Sequence, residues 1–375
     1  MKQVVNIARI LVGGLFIFSG LVKAIDPLGL AYKMQEFFEV WASEGIMKGM
    51  MGWLNEHALM FSVFMITLEV VLGIALLTGW KTKLVSWLLL LLTLFFTFLT
   101  GYVLFSGKIR ACGCFGDCIP LTPIQTFTKD IVLLVLVLLI LFGRRYIKPL
   151  FSNGVNTIVV LVSLFAVLGL QWYVLKHLPV KDCLPFKIGN NILELRKTPK
   201  DATYDKFQYT YFYKKGSEEK DFEYGKQPDS AWIYVDGKMP NKKLIEKGNG
   251  KVALINDFIL TTSSGNDTTE ALLNSPGQYY LLFIKEYPGD EEWSATEAYM
   301  HLRNKDIPHF VVTSQPKEMN GLFNGGRNKF NVEILTADLI VIKTAARVNP
   351  TLYLMKGPVI QKKMSWADFK KVAKN

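Results

Sequence analysis

LVSWLLLLLTLFFTFLTGYVLF, residues 84–105, contains no charged side chain. The hydrocarbon core of a bilayer is about 30 Å thick, and about 20 apolar helical residues cross it. This run is therefore read as a membrane-spanning helix. Four more stretches of the same kind flank it, at about 5–25, 58–79, 123–143 and 155–175, so that with 84–106 five spans are predicted. The first is the most polar. Arg9 and Lys23 bracket it, and both side chains are long enough to carry their charges to the two interfaces. No small-x-small cleavage site follows it, so it is read as a retained span and not as a removed signal. Half of the 375 residues are hydrophobic. They concentrate before about residue 178, and the remainder reads as water-exposed protein. The length allows two or three domains, each able to bury a core.

The Lys and Arg residues between spans set the orientation. GWKTK (79–83) and GRRYIKP (143–149) are the basic short loops and are expected on the cytoplasmic side. With the N-terminus also inside, a loop at about 26–57, a cysteine loop at about 107–122 and everything after residue 178 fall outside. That predicts a multi-pass protein of the bacterial inner membrane, with its C-terminal domain in the periplasm. The net charge of +11 is spread over both halves, beside spans and along a solvated surface, so nucleic acid is not expected as a partner. Membrane lipid is.

ACGCFGDC (111–118) places Cys112, Cys114 and Cys118 within seven residues. Gly113 and Gly116 let the loop turn tightly. Thiol–disulfide exchange needs an accessible thiolate and a second thiol that resolves the mixed disulfide. Cys118 lies just before a helix start, with Thr122 as cap and Pro123 in the first turn, where free N–H groups favour a thiolate. Cys183 follows the fifth span and belongs at the same membrane level. Several pairs stay open: Cys114 or Cys112 with Cys118, a strained Cys112–Cys114 bridge, or Cys183 with one of the three. Redox-active cysteines and inert staples are both consistent with this pattern. The four His residues lie at no ligand spacing from one another, and no metal is expected, although thiolates alone would suit a soft ion.

Glu69 falls near the centre of the second span. An ionisable group there is costly unless paired, and it is a candidate for quinone or proton chemistry. Protonation, or bonds to Ser19, Thr93 or Thr97, would also accommodate it. Lys23 and Asp26 close the outer end of the first span and are read as an interfacial anchor and a turn.

Beyond residue 179, alternating runs such as FQYTYFY (207–213) and AWIYVDGK (231–238) predict strands. A strand–helix pattern follows. QYYLLFIK (278–285) and HFVVTS (309–314) are strands, and EEWSATEAYMHLRNK (291–305) and ADLIVIKTAARV (337–348) are helices. NPTLYLMK (349–356) with PVIQKKM (358–364) forms a hairpin, and WADFKKVAK (366–374) closes as a helix.

GGLFIFSGLVKAIDP (13–27), LEVVLGIALLTGW (68–80) and CGCFGDC (112–118) occur in the order found in the DoxX and MauE membrane proteins, and residues 1–148 resemble that family. The resemblance implies a four-helix bundle similar to the vitamin K epoxide reductase and DsbB group, whose members pass electrons between extracytoplasmic thiols and a membrane quinone. The chain departs from that group by having CxC and Cx3C in place of CxxC. It also lacks a cysteine pair in 26–57. DFILTTSSGNDTTEALL (257–273) and NPTLYLMKGPVI (349–360) resemble thioredoxin-like domains of the TlpA and peroxiredoxin class, which implies Pro350 as a cis-proline. Where active members carry CxxC, this chain reads EYPGDEEWSATE (286–297), without Cys. Trp293 sits at that edge.

The expected organisation is an all-α transmembrane bundle followed by an α/β thioredoxin-like domain. Residues 1–148 are the four-helix membrane domain and 149–180 the fifth transmembrane helix. Residues 181–256 are a β-rich extracytoplasmic segment and 257–375 a thioredoxin-like domain lacking CxxC. The expected function is thiol–disulfide redox chemistry on extracytoplasmic protein thiols through Cys112, Cys114, Cys118 and Cys183, linked to a membrane quinone near Glu69. The rival is a non-enzymatic assembly factor that binds a periplasmic client and uses its cysteines as staples.

Overall fold

The computed structural model describes residues 1–109, 113, 115–226, 228–236, 240–246, 248–286, 307–325 and 330–369. Five of its helices are long and apolar enough to cross a membrane: α1 (Lys2–Ala24), α4 (Ala58–Thr78), α5 (Thr82–Ser106), α6 (Pro123–Gly143) and α7 (Asn153–His177). A mixed α/β region follows them.

Helices α1 and α4 meet through glycine. A Cβ on Gly73 would lie 2.9 Å from the Gly13 carbonyl oxygen and 3.1 Å from the Ile17 nitrogen, so the two backbones touch where neither residue has a side chain. Helix α7 packs on α4, where Gln171 Nε2 donates to Thr67 Oγ1 at 2.9 Å. Arg9 and Lys23 do not extend from the protein. Both are buried. Arg9 Nε donates to the Leu76 carbonyl at 2.9 Å and Nη1 to that of Lys148 at 3.2 Å, so the guanidinium caps the carbonyl end of α4.

The expected outer loop at 26–57 is largely helical: α2 (Pro27–Ser43) and α3 (Lys48–Glu56). Asp26 caps α2 by accepting from the Gly29 N–H at 3.2 Å, and Pro27 occupies its first turn. Leu30, Ala31, Met34 and Phe37 form its buried stripe. That stripe is amphipathic and too polar overall to read as a span, which is why hydropathy alone passes over it.

In the α/β region, β5 (Gln278–Ile284) is central. It runs parallel to β6 (His309–Thr313), which runs parallel to β7 (Glu333–Thr336). On its other side β8 (Thr351–Lys356) and β9 (Val359–Ser365) follow antiparallel. Along β5, Tyr279, Leu281 and Phe283 face one core, and Tyr280, Leu282 and Ile284 the other, as period-two alternation requires. The first core also takes in Phe186, Ile192, Ile255 and Phe258.

Residues 181–256 therefore do not form one β-rich unit. Their two ends belong to the α/β core, including α8 (Ile192–Arg196). Only the middle is a separate sheet, with β1 (Lys206–Lys215) pairing β2 (Glu218–Glu223), β3 (Ile233–Tyr234) and β4 (Asn241–Glu246). The cause is packing. Phe186 and Ile192 belong to short, broken apolar stretches, CLPFKI and ILEL, and only the completed sheet offers them a surface. The short helices α9 (Thr269–Leu273), α10 (Pro316–Asn324) and α11 (Leu339–Ala345) flank the main sheet. Trp293, the predicted helix 291–305 and the last residues of the closing helix lie outside the described residues.

Candidate functional site

The cysteine loop turns as its glycines require. Gly113 and Gly116 have φ of +71° and +58°, and the Gly116 N–H donates to the Gly113 carbonyl at 2.9 Å. A one-turn 3-10 helix, Gly116–Cys118, then leads to Thr122, which caps α6 together with Gln125. Cys118 is disulfide-bonded to Cys183, 65 residues later, with Cα atoms 4.9 Å apart. Of the pairings left open by spacing, this one is formed. Cys112 and Cys114 lie outside the described residues.

The disulfide joins two bodies. Cys118 sits on the loop between α5 and α6 of the bundle. Cys183 is held by the α/β domain: Asp182 pairs with Lys363 at 2.8 Å, and Leu184 is buried beside it.

A second bridge runs alongside. Arg347, just before β8, is buried, with Nε 2.8 Å from Asp26 Oδ2 and Nη2 2.7 Å from Asp117 Oδ2. Both carboxylates belong to the membrane half, and Asp117 is the neighbour of Cys118. Burial opposes the charge of Arg347, yet the Asp26 and Asp117 carboxylates outweigh it and hold its pKa above the ordinary value. Gly29 leaves room for this: its Cβ would meet Asp26 Oδ2 at 2.9 Å and Arg347 Nη2 at 3.4 Å.

Lys285, directly after β5, completes the junction. Its Nζ donates to the Arg347 carbonyl at 2.8 Å and to Tyr32 Oη on α2 at 3.1 Å. Burial pushes its pKa down to about 8, against the pull of Glu286. Asn349 ties the same corner together, accepting from the Lys285 N–H at 2.9 Å. The Asn349–Pro350 bond is cis.

A polar chamber lies inside the bundle. Glu69 pairs with Lys23, and Lys129 with Asp130 at 2.5 Å, while Thr100 Oγ1 donates to Asp130 Oδ2 at 3.0 Å. Lys23 is thus the partner of Glu69 inside the bundle. It is 2% exposed because an uncompensated Glu69 in the bundle would cost more than burying the pair. Thr97 donates to the Thr93 carbonyl at 2.8 Å, and Ser19 lines the chamber. Asp26 is likewise more than a turn, as the partner of Arg347.

The free space beside Glu69 holds about one water molecule. A quinone ring does not fit there. A wider groove of about 480 Å³ runs along α5 past Phe98, Gly101 and Phe105, but its polar groups are engaged elsewhere, Tyr102 Oη with Glu44 at 3.0 Å among them.

Residues 1–143 match the family model described as "Methylamine utilisation protein MauE". The N-terminal membrane domain is of the MauE type. Protein TlpB of Flavobacterium psychrophilum is 32% identical over 137 residues, a match covering 36% of this chain and 35% of that relative. The chain thus matches about a third of the length of the curated relative. No solved structure matches it.

The MauE-type domain supplies Cys118, Asp26, Asp117 and Tyr32 to the junction, and the α/β domain supplies Cys183, Arg347 and Lys285. Sequence reasoning singled out both cysteines and Asp26. It passed over Asp117, Tyr32, Lys285 and Arg347. The available signal was modest: Arg347 ends the largely apolar stretch ADLIVIKTAARV, where an exposed helix end would carry an arginine just as well.

Proposed function

We propose that the protein carries out thiol–disulfide exchange with extracytoplasmic proteins, with Cys118 and Cys183 as the exchanging pair and Cys112 and Cys114 as thiols that relay to it. One observation carries this reading: the half-buried Cys118–Cys183 bond crosses from the MauE-type bundle to the α/β domain, beside a pocket with room for about one water molecule, lined by Asp26, Asp117, Lys181 and Asp182. The matches to MauE and TlpB are compatible with a role in redox-linked maturation.

The α/β domain is read as thioredoxin-like, on its strand order β7-β6-β5-β8-β9 and on the placement of Lys285 and Pro350 at one end of the sheet, turned toward the bundle. It has no cysteine of its own after Cys183. It therefore contributes binding and positioning, and the membrane half contributes the chemistry. The location is the bacterial inner membrane, N-terminus inside. A membrane quinone finds no fitting site beside Glu69, and no step is routed through one.

Acid trapping of intact cells followed by mass-tagged alkylation tests the reading. The pair is expected to shift between reduced and oxidised forms when the extracytoplasmic thiol poise is changed, and Cys118→Ser is expected to abolish exchange with protein thiols. A pair that stays bonded under every condition, with Cys118→Ser as active as wild type, would leave the assembly-factor reading standing instead.

A further inference from the structure

We infer that Arg347 is a positioning residue for the cysteine site, and that it couples the redox state of Cys118–Cys183 to docking of the α/β domain on the membrane bundle. This deepens the exchange reading and rests on it.

Two bridges connect the same two bodies. One is covalent, from Cys118 on the bundle to Cys183 on the α/β domain. The other is the Arg347 fork, whose two arms hold Asp26 and Asp117. Asp117 and Cys118 are consecutive in one tight turn, so the fork fixes the turn that carries the sulfur. Supporting contacts are also polar: Lys285 with Tyr32 at 3.1 Å, Lys343 Nζ with Gln35 Oε1 at 3.4 Å, and His177 with Asp368 at 3.2 Å. Among the described residues the junction is held by ion pairs and hydrogen bonds and by no shared apolar core, and polar interfaces between domains are the ones that move.

Parallel bridges reinforce each other. With Arg347 in place, the two sulfurs are kept at high effective concentration, and the disulfide is favoured. By linkage, opening the disulfide must loosen docking by the same factor. A thiolate of an external dithiol attacks one sulfur, a mixed disulfide forms, and the second thiol resolves it. Two electrons and two protons pass to Cys118 and Cys183, and the dithiol leaves oxidised.

Charge acts the other way. Removing Arg347 leaves Asp117 to disfavour a thiolate at Cys118. The Asp117 side chain is 42% exposed, however, so water screens it, and the effective-concentration term wins.

The test equilibrates the full-length protein, in membranes, with reduced and oxidised dithiothreitol, and reads Cys118–Cys183 by differential alkylation and peptide mass spectrometry. Arg347→Gln is expected to make the pair easier to reduce by about tenfold, which is about 30 mV for a two-electron couple. Arg347→Lys should fall between. Asp117→Asn removes one arm from the exposed side and should shift the midpoint in the same direction, which keeps the test valid if Arg347→Gln fails to fold. In the wild type, reduction should speed hydrogen exchange in residues 26–37. Midpoints within twofold of wild type in both variants, a shift toward harder reduction, or unchanged exchange would each overturn the coupling while leaving the exchange reading intact. A wild-type disulfide that no dithiol ratio opens would overturn both.

Discussion

At the scale of single residues, charge burial governs the membrane half. Lys23 and Glu69 are 2% and 4% exposed, and each makes the other tolerable. Breaking such a pair leaves one bare charge in a medium that solvates it poorly. Glu69→Leu alone, or Lys23→Met alone, is expected to destabilise the bundle by about 3–5 kcal/mol, and the double replacement by much less. Denaturation in detergent measures this as a double-mutant cycle. A double mutant as unstable as the sum of the singles would mean the pair is not coupled. Glu69 stood out in the sequence as an ion in a span. Its partner did not, because Lys23 lies 46 positions away and near an interface in any linear reading.

At the scale of elements, small residues decide which helices touch. Gly73 faces backbone atoms of Gly13 and Ile17, so a side chain there cannot be relieved by a rotamer change. Gly73→Val is expected to destabilise the α1–α4 contact by about 1–3 kcal/mol, whereas Gly14→Val, with nothing within 4 Å, should be close to neutral. Thermal unfolding of the two variants side by side checks this. The five spans were legible because hydrocarbon solvent imposes one requirement on every residue at once. Helix α2 was not, because its stripe answers to packing on neighbours, and its mean composition matches a loop.

At the scale of the whole molecule, two halves meet across a charged junction. Lys285 titrates there with a pKa lowered to about 8, from 10.5, chiefly by burial, with Glu286 opposing and Arg347, Lys343 and Asp26 also facing it. Between those pH values the separated state binds more protons than the docked state. Stability contributed by this lysine therefore rises with pH from about 8 to about 10.5, and its penalty is present in full below about 8. The denaturation midpoint of the wild type is expected to gain on that of Lys285→Met across this window. A difference that stays flat with pH would show that Lys285 keeps its proton in the junction.

Some properties of this protein needed nothing beyond the order of its residues. Membrane insertion, the number of spans and a tight, glycine-assisted cysteine turn are local consequences of hydropathy and backbone sterics, and any neighbours would have allowed them. The unbroken apolar run of QYYLLFIK is of the same kind, and it announces a strand buried on both faces. The disulfide partner of Cys118, the recruitment of Phe186 and Ile192 into the α/β core, and the Arg347 bridge to Asp26 and Asp117 are of another kind. Each joins residues 65 to 321 positions apart, or fills a surface that exists only when the sheet is complete. Such contacts depend on distances in space that no local pattern encodes, and only the folded chain brings their partners within reach.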